Sequence, residues 1–183
     1  MIRPLRSYLP ALLLVYLAAL VLAPSAKAQP PLTESLALLE EVESLYWGAD
    51  MPPPDAPWTA ATLPYNTREK SEIAQTSTQE SPYVWFRFSL DRPEDSAIYG
   101  LSFWRFNLAI DVYFNGHLLG ASPQNEGRET MSWNHPLLTS IQTPNWQPGR
   151  NEVIVRITRS PWGGNLAPIV YGDIKSLTPL YES

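Results

Sequence analysis

Apolar and polar residues alternate with a period of two along most of the chain after residue 82. In segment 83–90 the even-numbered residues are all apolar, so an extended strand places them on one side. The same alternation recurs in segments 98–104, 108–114 and 152–158. Turn-forming residues separate these segments and no helical pattern lies between them. The pattern therefore predicts an all-β fold, an antiparallel β-sandwich, and excludes a parallel α/β sheet.

The strongest turn signal is the dipeptide Asn115-Gly116, which directly follows segment 108–114. Both residues tolerate a positive φ, which the tight turns of β-hairpins require. We expect a hairpin here, with a short return strand that begins at His117. A second turn is expected at residues 148–151, just before the strand 152–158.

Residues 33–47 have a different pattern, in which apolar residues recur at helical spacing. Thr33 is placed to cap a helix and Gly48 suits its C-terminal end. The segment therefore predicts one N-terminal amphipathic helix packed on the outside of the sandwich, with a partner or dimer helix as the alternative. The apolar residues at this spacing are Leu36, Leu39, Val42 and Tyr46.

The first 28 residues have the features of a secretory signal peptide. Arg3 and Arg6 precede an apolar run over residues 11–23, and Ala26-Lys27-Ala28 offers a cleavage site after Ala28. A membrane anchor is the alternative, but that run is shorter than the ~20 residues that a span needs. We expect export to the periplasm or the medium. The predicted organisation is a signal peptide (1–28), a helix with a proline-rich entry segment (29–57) and the sandwich (58–183).

Composition narrows the classes of function. The 183 residues include no Cys, 7 Trp, 9 Tyr and 5 Phe, and the formal net charge is −5. The aromatic content excludes disorder as the main state, and the lack of Cys excludes disulfide scaffolds and Cys-based metal or redox sites. The acidic balance argues against nucleic acid as a partner.

No catalytic constellation is present in the sequence. The two histidines, His117 and His135, are not at metal-ligand spacing, and no nucleotide, metalloprotease or serine-hydrolase motif occurs. No pair of carboxylates has a spacing suited to glycoside hydrolysis. We therefore predict a chain that is not an enzyme and carries no catalytic residue, metal or cofactor.

The remaining candidates for function are aromatic and charged residues on the second faces of the strands and in the loops. Aromatic rings beside charged side chains can hold a sugar or a small anion. The alternative is structural: another element covers this face, and Arg87 or Arg156 pairs with Asp111 inside it. The candidate ligand-binding residues are Trp85, Arg87, Trp104, Asp111, Tyr113 and Arg156 on strands and Trp133 and Trp162 in or near loops.

Several of these segments together resemble a known fold family. The order of the motifs is similar to the galactose-binding-like jelly roll, which occurs as the sugar-binding domain of family 2 glycoside hydrolases. The segments that carry it are Trp85-Phe86-Arg87-Phe88, Asp111 to Gly120, Trp133 to Leu138 and Pro148 to Arg156.

The C-terminal run is more similar to the periplasmic sensor region of membrane-bound bacterial signalling proteins, namely sensor histidine kinases and diguanylate cyclases, and this resemblance covers about residues 58–182. The segments that carry it are Trp133 to Leu138, Pro148 to Arg156, Gly163 to Pro168, Gly172 and Leu177 to Glu182. This resemblance implies a sensory domain that binds a small molecule or carbohydrate and acts with a membrane-embedded signalling partner or a second copy of itself. No kinase or cyclase motif is present, so we expect a truncated or split receptor or an input module that works alone. The alternative is a secreted carbohydrate-binding module or an accessory domain of a glycoside hydrolase.

Overall fold

The computed structural model describes 36–66, 81–95, 97–122, 124–125, 128–129, 135–159 and 165–182. The predicted signal peptide (1–28) lies outside the described residues. Within them, no helix has both the length and the apolar character that crossing a membrane requires.

Fourteen strands account for most of the described chain. In chain order they are β1 (Leu36–Leu39), β2 (Glu41–Trp47), β3 (Thr59–Thr62), β4 (Tyr65–Asn66), β5 (Tyr83–Asp91), β6 (Tyr99–Phe103), β7 (Ile110–Phe114), β8 (His117–Ala121), β9 (Gln124–Asn125), β10 (Arg128–Glu129), β11 (Leu137–Ile141), β12 (Arg150–Thr158), β13 (Asn165–Leu166) and β14 (Ile169–Asp173). One helix, α1 (Ile174–Tyr181), follows β14.

Two antiparallel sheets form a sandwich around one core. A six-stranded sheet has the order β3-β2-β5-β12-β7-β8, and a four-stranded sheet has the order β1-β14-β6-β11. The main core cluster takes Phe86 and Val155 from the first sheet and Leu101, Phe103 and Ile169 from the second. The predicted all-β antiparallel sandwich is confirmed.

The central strands follow the alternation in the sequence. Strand β12 pairs with both β5 and β7, so Val155 lies opposite Phe86 on one side and Val112 on the other. All three side chains are buried in the core. The residues between them therefore point to the outer face of the six-stranded sheet, as the period of two requires.

The predicted helix over residues 33–47 is wrong: the described part of this segment forms strands β1 and β2. Strand β1 pairs with β14, and β2 pairs with β3 and β5. Val42 faces the main core, whereas Leu45 belongs to a second cluster on the outer face. Over so short a segment the apolar residues fit the spacing of a helix as well as that of a strand. The segment forms strands because the rest of the fold supplies strands for it to pair with.

Helix α1 covers part of the four-stranded sheet and was not predicted. Leu177 on this helix is completely buried. The helix packs closely against Gly100 of β6, where a Cβ atom would lie 2.4 Å from the carbonyl oxygen of Thr139 and 2.9 Å from Cδ1 of Ile174. A glycine at this position therefore permits the close contact between helix and sheet.

The Asn115-Gly116 hairpin is confirmed, with φ values of 49° and 81°. Asn115 also joins the hairpin to the turn before β12, because its Nδ2 donates to Oδ1 of Asn151 at 2.8 Å. Asn151 is completely buried and bonds the backbone of Gln147 and Gly149. The two asparagines of the family-like motifs therefore have structural roles.

Candidate functional site

Five of the eight predicted site residues lie on the outer face of the six-stranded sheet. The register aligns them in neighbouring rows, because Arg156 of β12 lies opposite both Trp85 and Asp111. Arg87 and Tyr113 both lie opposite Ile154 in the next row. The strands thus bring these residues together as the alternation of side chains predicted.

The aromatic members of this group are packed against other protein groups. Trp85 is 1% exposed, stacks on Tyr113 with ring centroids 6.2 Å apart, and contacts Leu45 and Ile154 in a second apolar cluster. Burial, followed by the nearby charge of Asp111, raises the pKa of the Tyr113 hydroxyl.

A proline-rich segment covers this cluster. We call residues 48–58, which connect β2 to β3, the strap. Four prolines in the strap remove N–H groups that a further strand would need, so the segment cannot extend the sheet. Side chains on the sheet bond its backbone instead: Trp85 Nε1 donates to the Gly48 carbonyl at 3.1 Å and Arg156 Nη1 donates to the Ala49 carbonyl at 3.0 Å.

Arg156 and Asp111 form an ion pair beneath the strap. Nε of Arg156 donates to Oδ2 of Asp111 at 2.8 Å, and Nη2 contacts the same oxygen. Burial alone would lower the pKa of Arg156, but the hydrogen bond and charge of Asp111 outweigh it and raise that pKa. The guanidinium also lies 4.6 Å from the ring centroid of Tyr83. The structural alternative, an arginine paired with Asp111, is therefore what the structure shows for Arg156.

Arg87 pairs with Glu43 rather than with Asp111. Its Nε lies 2.8 Å from Oε2 of Glu43, and its Nη1 donates to the Pro54 carbonyl of the strap at 3.3 Å. Cζ of Arg87 lies over the ring of Trp58, 4.6 Å from the centroid. Arg87 thus holds the strap by charge, hydrogen bond and cation–π contact.

The other predicted residues do not join this group. Trp104 follows β6 in the other sheet, is 52% exposed, and donates from Nε1 to the Pro168 carbonyl at 3.0 Å. Trp133 and Trp162 lie outside the described residues. A ligand contact by any of the eight residues stays a prediction. The described part of the chain holds no group of three or more His, Cys, Asp or Glu side chains arranged to bind a metal.

An open groove lies beside the strap on the same outer face. Its volume is about 1020 Å³, which is close to the upper end of the range of about 300–1,000 Å³ that is typical of ligand sites. The register places complementary groups across its floor, with Glu43 opposite Arg87 and Ser89 opposite Glu152. The polar side chains that line it are Glu41, Glu43, Thr62, Arg87, Ser89, Arg150 and Glu152.

Of the groove residues, the sequence had indicated only Arg87. Part of the groove lining comes from β2 and β3, and the sequence analysis had assigned β2 to a helix. The signal that identifies β2 as a strand is the alternation of Glu41 and Glu43 with Val42 and Ser44, in which the acids are the more exposed residues. Assigned as a strand, β2 places both acids on one face.

Comparisons with known proteins give matches only among solved structures. No family model and no curated protein matches the chain. A β-glucuronidase from glycoside hydrolase family 2 aligns at 16% identity and a TM-score of 0.56, over 75% of this chain and 17% of that one. The β-glucuronidase of Faecalibacterium prausnitzii aligns at 14% identity and a TM-score of 0.54, over 80% of this chain and 33% of that enzyme. A glycoside hydrolase family 2 member from Bacteroides cellulosilyticus aligns at 12% identity and a TM-score of 0.56, over 75% of this chain and 20% of that protein.

These matches bear on the fold. The chain corresponds to a third or less of the length of these three enzymes. The expected similarity to a sandwich domain of family 2 glycoside hydrolases is therefore confirmed at the level of architecture. None of the three matched structures is a signalling receptor, so the sensor interpretation stays a prediction.

Proposed function

We propose that this chain is a non-catalytic carbohydrate-recognition domain, of the kind that accompanies a glycoside hydrolase, and that it acts after export from the cytoplasm. The observation that carries the proposal is the groove beside the strap. Its floor is built from paired strands, so its polar side chains project from a backbone that is in place before a ligand arrives.

The chemistry of the groove suits a sugar. A sugar presents hydroxyl groups that both donate and accept hydrogen bonds, and the groove offers carboxylates as acceptors and Ser89 and Thr62 as donors or acceptors. The architecture shared with family 2 glycoside hydrolases supports the same class of ligand. Recognition without turnover is part of the proposal, because the sequence offers no carboxylate pair at a spacing suited to glycoside hydrolysis.

Calorimetric titration with a panel of neutral and amino oligosaccharides tests the proposal. We expect at least one ligand to bind with a Kd of about 1 mM or lower. The variant Ala60→Trp places a bulky ring in the groove and should weaken binding at least about tenfold, a loss of about 1.4 kcal/mol.

Leu118→Trp is the matched control. Ala60 and Leu118 are both exposed and lie at opposite ends of one row across the six-stranded sheet, five strand spacings or about 24 Å apart. The control should bind as the unmodified protein does. Binding that is absent from the whole panel, or lost equally in both variants, would refute recognition in the groove.

A sensory domain of a membrane signalling receptor is the second candidate function. One observation favours it: residues of the C-terminal run that resembles sensor regions form α1, whose buried Leu177 fixes the helix on the four-stranded sheet. A helix fixed on the sheet in this way can pass a ligand-induced shift of the sheet on to a signalling partner. Hydrogen exchange of the α1 amides should then change when a ligand binds; unchanged protection would count against this function.

A further inference from the structure

Asn115 is the only asparagine in the sequence that is followed by glycine. Asparagine is a chemically labile residue, and an Asn-Gly dipeptide in a flexible chain deamidates spontaneously because glycine has no side chain to obstruct the reaction. The backbone nitrogen of Gly116 attacks Cγ of Asn115, the Cγ–Nδ2 bond breaks, and the proton of the attacking nitrogen leaves with the amide as ammonia. Water then opens the cyclic imide to aspartate or isoaspartate.

The surroundings of Gly116 do not obstruct this reaction. A Cβ atom built at Gly116 would meet nothing within 4 Å, so this side of the turn is open to water. The next residue, His117, is exposed as well. Any protection of the dipeptide therefore has to come from the side chain of Asn115 itself.

Three hydrogen bonds hold the side-chain amide of Asn115. Its Nδ2 donates to the Asn145 carbonyl at 3.0 Å and to Oδ1 of Asn151 at 2.8 Å. Its Oδ1 accepts from the backbone N–H of Glu152 at 3.0 Å. All three partners lie in β12 or just before it, so the amide is fixed to another strand. Deamidation needs an amide that can rotate against the nitrogen of Gly116 and release Nδ2, and both movements break these bonds.

An acid at position 115 does not fit the same partners. A carboxylate only accepts hydrogen bonds, and the groups that face Nδ2 are both acceptors, the Asn145 carbonyl and Oδ1 of Asn151. Asn151 cannot offer its own Nδ2 instead, because that nitrogen already donates to the carbonyls of Gln147 and Gly149. Isoaspartate also adds a backbone carbon to the tight turn. Either product therefore weakens the contact between the hairpin and β12.

We propose that Asn115 is a deamidation site that the folded protein protects, and that it reacts only when the hairpin separates from the start of β12. Local opening of this kind needs less free energy than global unfolding, because fewer contacts break. The acid that forms opposes closing, so each reaction is irreversible. Deamidated chains therefore accumulate with the time that the hairpin spends open.

Mass spectrometry of the peptide that contains residue 115 measures the reaction in the full chain. Samples are kept at mildly alkaline pH with and without denaturing guanidinium chloride, and isoaspartate is identified by enzymatic methylation of its carboxylate. We expect deamidation to be at least about tenfold slower without denaturant, because three hydrogen bonds have to open first. Equal rates in the two samples would show that the bonds give no protection and would overturn the proposal.

Two substitutions separate local release of Asn115 from global unfolding. Asn151→Ala removes one of the three partners and should speed deamidation without denaturant at least about threefold. Gly100→Ala is the matched control, since it disturbs the contact between α1 and its sheet and leaves the three bonds in place. It should react at close to the rate of the unmodified chain. Equal acceleration in both variants would assign the reaction to global unfolding and contradict a protecting role for the bonds.

Asn115→Asp tests the effect of the product and depends on neither of these variants. It should lower the midpoint of denaturant unfolding below that of Asn145→Asp, which makes the same charge change at an exposed side chain close by. If the two variants are equally stable, the acid fits the turn and the proposed irreversible opening is refuted.

Discussion

At the residue scale, the polar residues of the most recognisable motifs hold the fold together. Asn115 bonds Asn151, and its Oδ1 accepts from the backbone N–H of Glu152 at 3.0 Å. The completely buried Asn151 in turn bonds the backbone of the exposed turn over residues 147–149. The sequence predicted both turns from their composition. It gave no sign of the bond between them, because 36 residues separate the two asparagines along the chain.

Replacing Asn151 by Ala should destabilise the protein by about 2–3 kcal/mol, because the completely buried side chain loses its hydrogen bonds to Asn115, Gln147 and Gly149 and leaves a cavity. The midpoint of urea unfolding measures this. Gln142→Ala removes an exposed amide whose hydrogen bond is to Ser140, and it should change stability by less than about 0.5 kcal/mol. Equal effects of the two substitutions would show that the asparagine bonds do not support the turn.

Gly116→Val should destabilise the hairpin by about 1–3 kcal/mol, because a β-branched residue is strained at a φ of 81°. Gly48→Val is the matched control: an added Cβ meets nothing within 4 Å at either position, but only Gly116 has a positive φ. Thermal unfolding of both variants separates backbone strain from crowding. An unchanged Tm for Gly116→Val would contradict the claim that the backbone at position 116 is strained for a β-branched residue.

At the element scale, β5, β7 and β12 were predictable from the alternation in the sequence, whereas β1, β2 and α1 were not. Strands β5, β7 and β12 alternate clearly because one side of each packs in the core. Strands β1 and β2 mimic a helix, since partners remote in sequence decide their conformation. Helix α1 was not predicted, because Pro179 within it is an unfavourable residue for a helix interior.

Gly100→Ala tests the contact between α1 and its sheet. The added methyl group would overlap the carbonyl oxygen of Thr139 in β11 and lie 2.9 Å from Cδ1 of Ile174 in α1, so both the strand and the helix would have to shift. We expect a loss of about 1–3 kcal/mol in unfolding free energy and faster hydrogen exchange in α1. Gly48→Ala, at an open position, serves as the reference. Unaltered exchange in α1 would show that the helix does not depend on this close approach.

At the scale of the whole molecule, one face of the six-stranded sheet is divided between two uses. The strap covers the half that holds Trp85, Tyr113 and the Arg156–Asp111 pair, and the groove occupies the other half. The sequence placed the aromatic and charged residues on one face. The sequence did not show which half of this face the strap covers. The strap begins at the end of β2, and the sequence analysis had assigned β2 to a helix.

Stability should fall as the pH rises above about 10, the pKa of tyrosine in an unfolded chain. Burial, followed by the hydrogen bond and charge of Tyr65, raises the pKa of Tyr46, and Arg159 lowers it less. Burial and the nearby charges of Tyr99, Asp95 and Asp91 raise that of Tyr171. Above that pH the unfolded chain releases protons that the folded chain keeps, so the unfolding free energy decreases with pH.

Urea unfolding between about pH 8 and pH 11 measures the decline, which is at most about 1.4 kcal/mol per pH unit for each tyrosine before solvent screening reduces it. Tyr46→Phe and Tyr171→Phe should each flatten the alkaline decline. Tyr181→Phe, at an exposed position, should leave it unchanged. A decline that persists equally in all three variants would assign it to other groups.

The hydrogen bond between Asn115 and Asn151 makes two positions that are distant in the sequence depend on each other during evolution. Loss of Asn115 leaves Asn151 still bonded to the backbone of Gln147 and Gly149, whereas loss of Asn151 also frees that turn. Proteins with this architecture should therefore keep Asn151 more often than Asn115, and its retention would mark descent of the scaffold without saying anything about what the scaffold binds.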